Sequence, residues 1–196
     1  LLAGRLLQRR LADPRRVALM AHSLGGVAVV LVASRNPSIS AVVSLDGTMV
    51  YQGKYLADAV PARALREFSV PSLFLTQGPF DRELRETFNA DSTFAFFDGL
   101  RYADAYRVYF HRLRHRNFNS LTNRLAAPGD PLEFNPDLDV VSKDWDAMAT
   151  YAVRFLDAYL KGDRSSLAFL SRSPAEQGYA PNIVSMERKA GWPDRY

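Results

Sequence analysis

The stretch Val17-Ala18-Leu19-Met20-Ala21-His22-Ser23-Leu24-Gly25-Gly26 decides how the rest of this chain is read. Val17 to Ala21 is continuously apolar rather than alternating, the composition of a parallel strand buried on both faces. Leu24 to Ser34 then has helical composition and stops before Asn36-Pro37. Ser23 therefore stands at the corner where a strand becomes a helix, with its side chain clear of the backbone and Gly25 allowing helix and strand to approach. The N–H groups that open the helix, Leu24 first, point where negative charge would develop on an oxygen. Such a corner suits acyl transfer through Ser23, and the competing reading is a serine that caps a helix.

A serine hydroxyl needs a base to take its proton, and the base needs a carboxylate to orient it, each expected in a loop after a later strand. The chain has three histidines. His22 adjoins the nucleophile and is expected to point away from it in a structural role, while His111 falls inside the expected last strand. His115, just beyond that strand, is the candidate general base and acid. Two carboxylates compete: Asp46 follows the strand Ile39 to Leu45, and Asp81 follows the strand Ser72 to Thr76. Asp46-Gly47 could equally be a turn pair and Asp81 a helix cap, and position alone favours Asp81 slightly.

Around these residues the pattern alternates. Leu2, Leu6, Leu7 and Leu11 have helical spacing, Asp81 to Asn89 has helical composition, and a short helix is expected near Phe94 to Arg101. Tyr106 to Leu113 reads as a fourth strand near the sheet edge because of its arginines. Asn119 to Val141 reads as a polar loop. A helix from Ser142 to Leu160 is expected to bury Met148, Val153, Phe155 and Leu156, followed by a short helix from Ser165 to Leu170. The fold class is α/β, a mostly parallel doubly wound sheet. Residues 1–172 are expected to form the domain and 173–196 an extended arm over its surface. A start inside a helical pattern, without methionine, suggests a fragment whose earlier strands lie upstream.

Composition narrows the function classes. The chain of 196 residues has no cysteine, which removes disulfides, thiolate metal sites and a cysteine nucleophile. Its net charge of +4 comes from scattered arginines and argues against a nucleic-acid partner. No apolar run is long enough to span a membrane. A lipid-surface role for Phe94 to Phe97 is weighed against ordinary core packing, and neither localisation nor oligomeric state follows from the residues.

Ala-His-Ser-Leu-Gly-Gly at 21–26, Val-Ser-Leu-Asp-Gly at 43–47, Val-Pro-Ser-Leu-Phe-Leu at 70–75 and His-Arg-Asn-Phe at 115–118 together resemble the α/β-hydrolase superfamily. They are most similar to its platelet-activating-factor acetylhydrolase and dienelactone-hydrolase-like esterases. The Lys161-Gly162-Asp163 turn and Ser166 to Leu170 look like that branch too. The resemblance implies the C-terminal half of a hydrolase sheet, and a catalytic set of Ser23, Asp46 and His115, with Asp81 as the alternative acid. It implies a small-molecule or lipid ester as substrate, with no metal or organic cofactor. It further implies a second oxyanion donor upstream of these residues, so the fragment alone is expected to be a weak enzyme. An acyltransferase using the same residues, or a non-catalytic binding or scaffold domain, are the alternatives.

Overall fold

The computed structural model describes residues 13–47, 62–78, 95–119 and 138–191. In chain order these form β1 (Val17–His22), α1 (Leu24–Ala33), β2 (Ile39–Leu45), α2 (Ala62–Arg66), β3 (Ser72–Gln77), α3 (Ala95–Gly99) and β4 (Ala105–Phe110). A 3₁₀ turn at His115–Phe118, α4 (Leu138–Lys161), α5 (Arg164–Ser171), a 3₁₀ turn at Ala175–Gln177 and β5 (Val184–Lys189) follow. The expected helices over 2–11 and 81–89 lie outside the described residues, as does Asp81.

The strands lie in the order β1-β2-β3-β4-β5. The first four are parallel and β5 runs antiparallel to β4. Parallel neighbours need a crossover between them, and α1, α2 and α3 fall in those intervals. β2 and β3 are apolar on both faces, as a sheet covered on both sides requires. One face packs Val42, Phe74 and Ala105 against Val27, Val30, Ala33, Phe97 and Leu100. The other packs Val43, Leu73, Leu75 and Val108 against Met148, Tyr151 and Phe155 of α4. Helices thus cover both sides of the sheet, the doubly wound α/β layout expected from the alternating pattern.

Four details differ from expectation. β1 is not fully buried: it lies at the end of the described sheet, and Met20 is 54% exposed. α4 begins at Leu138, so residues 138–141 are helical rather than loop, and Val141 is buried. Val153 is exposed, because Met148, Tyr151 and Phe155 define the inward stripe of α4 and Val153 falls opposite it. Most telling is the segment after Ser173. It does not form only a surface arm, because residues 184–189 pair with β4 along Ala105–Phe110. Val184 is buried and Met186 packs against the same face, while Glu187 and Arg188 remain exposed, the mixed pattern of an edge strand.

The aromatic segment contributes to the core. Phe97 is buried and meets Phe74 edge-on with centroids 6.0 Å apart, and Phe96 approaches Phe68 at 5.5 Å. Among the described residues, no helix is long and apolar enough to cross a membrane.

Candidate active site

Parallel strands direct all their carboxyl ends to one edge, and the loops there carry the polar groups of interest. Ser23 closes β1 and has φ 57° and ψ −127°. A residue with a Cβ is strained there, costing about 1–3 kcal/mol. The conformation is fixed on both sides: the Ser23 N–H donates to the Leu45 carbonyl at 3.1 Å, and its own carbonyl accepts from Gly26 N–H at 2.9 Å. The Ser23 side chain does not cap α1. Its hydroxyl faces the His115 ring instead.

The two glycines after the corner are required by space. A Cβ on Gly25 would stand 2.9 Å from the Ala21 Cβ, and one on Gly26 would stand 2.5 Å from Ser44 Oγ and 2.6 Å from Gly47 Cα. Helix α1 therefore lies directly on β1 and β2. Ala21 fills the contact that Gly25 leaves open.

Asp46 closes β2 with φ 42°, a left-handed conformation that aspartate tolerates better than most residues. Its N–H donates to the Leu75 carbonyl at 2.6 Å. The carboxylate is almost wholly buried, and both oxygens are engaged: Oδ1 accepts from the Gln77 backbone N–H at 3.0 Å, and Oδ2 lies 2.6 Å from His115 Nδ1. A carboxylate oxygen can only accept, so with Asp46 as the anion this contact takes a hydrogen from His115 Nδ1. In the neutral ring this leaves Nε2 as acceptor, and Ser23 Oγ lies 2.9 Å from it.

His115 opens the 3₁₀ turn that follows β4, with its side chain 35% exposed against 5% for Asp46. The imidazole thus bridges an enclosed carboxylate and an accessible hydroxyl. Asn117 folds this turn: its side-chain oxygen accepts from Arg114 N–H at 2.8 Å and its own N–H donates to the Arg114 carbonyl at 2.7 Å. Helix α4 holds the turn from outside. Trp145 Nε1 donates to the Asn117 carbonyl at 2.7 Å. Arg112 engages the buried Asp144 through two nitrogens, with Nε at 3.0 Å from Oδ2 and a second contact from its terminal nitrogen to Oδ1.

Ser23, Asp46 and His115, far apart in sequence, are thus brought into one hydrogen-bonded chain. His22 is not idle: its Nε2 meets the His115 carbonyl at 2.9 Å, and the two rings lie 4.7 Å apart. His111 lies just past β4, which ends at Phe110, rather than inside the expected strand, and contacts Ser185 Oγ on β5 at 2.9 Å. Sequence reasoning missed Gln77, which acts through its backbone and has no side-chain signature, and the α4 residues Asp144 and Trp145. Asn117 stood in the quoted His-Arg-Asn-Phe stretch without a role assigned to it. Among the described residues, no group of histidine and carboxylate side chains is arranged to hold a metal ion.

Comparison with curated proteins finds no match. A family model described as "Alpha/beta hydrolase family" matches residues 2–192, nearly the whole chain. With a mostly parallel sheet covered on both faces and a serine at its first strand-to-helix corner, the chain belongs to the alpha/beta hydrolase family.

Proposed function

We propose that the protein is a serine hydrolase acting on carboxylic esters through Ser23, His115 and Asp46. The observation that carries this reading is the continuous contact from Ser23 Oγ to His115 Nε2 at 2.9 Å and from His115 Nδ1 to Asp46 at 2.6 Å. Both distances are within the reach that proton transfer needs. Ser23 Oγ attacks the carbonyl carbon as its proton passes to His115 Nε2, and the resulting oxyanion is met by the Leu24 N–H. Collapse breaks the bond to the alcohol oxygen, which takes the proton from His115. Water then attacks the acyl carbon with His115 as base, releasing the acid and restoring the serine. Asp46 holds the imidazole tautomer throughout and stabilises its charged form.

The choice of ester, and the kinship with acetylhydrolase-like and dienelactone-hydrolase-like esterases, rest on the motif contexts around Asp46 and His115. Exposure of the full-length protein to a fluorophosphonate probe tests the nucleophile: an adduct on Ser23, absent in Ser23→Ala, is expected. A folded protein without that adduct would favour the scaffold reading. Hydrolysis of short aryl esters tests the acid. Asp46→Asn is expected to lower turnover on the order of 10⁴-fold by leaving the wrong tautomer. Loss of activity in Asp81→Asn alone would overturn the assignment.

A further inference from the structure

The sequence suggests only a structural role for His22, pointing away from the nucleophile, and its side chain reaches the backbone of the base. Residue 22 pairs with Leu45 in the last step of the β1–β2 ladder, and alternation along the strand sends its side chain to the sheet face opposite Ala21. Ala21 packs on the α1 side, so His22 emerges on the α4 side, where the His115 turn comes in. There its Nε2 lies 2.9 Å from the His115 carbonyl oxygen. A carbonyl can only accept, so Nε2 carries a hydrogen and donates it. The rings lie at 31° with their centroids 4.7 Å apart.

The other ties on this turn come from different directions. Asn117 folds it from within, Trp145 and Asp144 hold it to α4, and Asp46 fixes the ring through Nδ1. Among these contacts, His22 to His115 is the side-chain tie that joins the nucleophile's strand to the base's backbone. We infer that His22 is a positioning residue, whose Nε2–H anchors the His115 carbonyl and thereby sets the distance between His115 Nε2 and Ser23 Oγ. Without it, the turn keeps its attachment to α4 but loses its reference to β1. Small misplacements of a reacting pair are costly, so the effect falls on bond formation rather than on binding.

This inference rests on the reading of Ser23 and His115 given above. Its test is the rate of Ser23 labelling by a fluorophosphonate, measured over probe concentration in the full-length protein and in His22→Phe, His22→Asn and His22→Gln. The Gln amide N–H can reach the position of Nε2, the shorter Asn amide cannot, and Phe keeps the ring without a donor. In Phe and Asn the maximal labelling rate is expected to fall about tenfold, the scale of one lost hydrogen bond, with the half-saturating concentration unchanged. In Gln the rate is expected to recover to within about twofold of wild type. If His22→Phe fails to fold, the difference between Gln and Asn decides. Equal rates in Asn and wild type, a Gln variant as slow as Asn, or a change confined to half-saturation would overturn the role of His22. Absence of labelling in the wild-type protein would instead overturn the hydrolase reading.

Discussion

Ser23 occupies a backbone conformation that its side chain makes costly, and this separates stability from function at a single residue. Replacing Ser23 by Ala or by Gly removes the same hydroxyl, but only Gly relaxes φ 57°. Ser23→Gly is therefore expected to be about 1 kcal/mol more stable than Ser23→Ala in denaturant titrations, with both variants unlabelled by a fluorophosphonate. Ser23 and His115 could be named as candidates from sequence because Ser23 stands between an apolar run and a helical one, and because there are few histidines to choose from. Asp46 was less so: Asp46 and Asp81 each follow an expected strand, and which one meets the imidazole depends on packing that no local pattern encodes. Gln77 was invisible, since any residue but proline offers the same N–H.

The elements that hold the site add a second tier of tests. Arg112 and Asp144 tie the His115 turn to α4, and Asp144 is only 1% exposed. Removing one partner leaves the buried carboxylate unpaired, so Arg112→Ala is expected to cost about 3 kcal/mol or more in chemical denaturation. The double variant Arg112→Ala/Asp144→Leu should recover most of that loss. At the start of α5, Asp163 caps the helix by accepting from the Ser165 and Ser166 N–H groups and from the hydroxyls of both serines. The Ser166 hydroxyl bond foremost, then those of Ser165 and the backbone, lower the Asp163 carboxyl to about 2. A depressed value in the folded protein means that the cap's contribution is present above the ordinary aspartate range and is lost as pH falls through about 2. Asp163→Ala should therefore lower the thermal midpoint by roughly 2–4 °C at neutral pH, with the difference shrinking as the pH approaches that value. The turn at Lys161-Gly162-Asp163 and a short helix after it were readable, but not the Asp163 cap. The Arg112–Asp144 tie was not, because the two residues are brought together only when α4 docks.

At the scale of the whole molecule, the parallel strands β2 and β3 were plain from their unbroken apolar runs, and the two-sided helical cover follows from them. β5 escaped notice because an edge strand needs only one apolar face, and Val184 and Met186 are too few to stand out beside Ser185 and the charged run Glu187-Arg188-Lys189. Its contribution is nonetheless central to the far side of the sheet, where Val184 is buried beside Phe110 and the Tyr151 hydroxyl bonds Gln177 in the preceding turn. Ending the chain at residue 180 should expose the outer edge of β4, and the shortened protein is expected to aggregate at concentrations where the full chain stays monodisperse in light scattering. The strand that covers β4 also has a place in time. On the ribosome, Ser23, Asp46 and His115 all emerge well before residues 184–189 are made, so the growing chain carries its reactive groups while one flank of the sheet is still open. Until β5 pairs, the open edge of β4 is a template on which a neighbouring chain can pair.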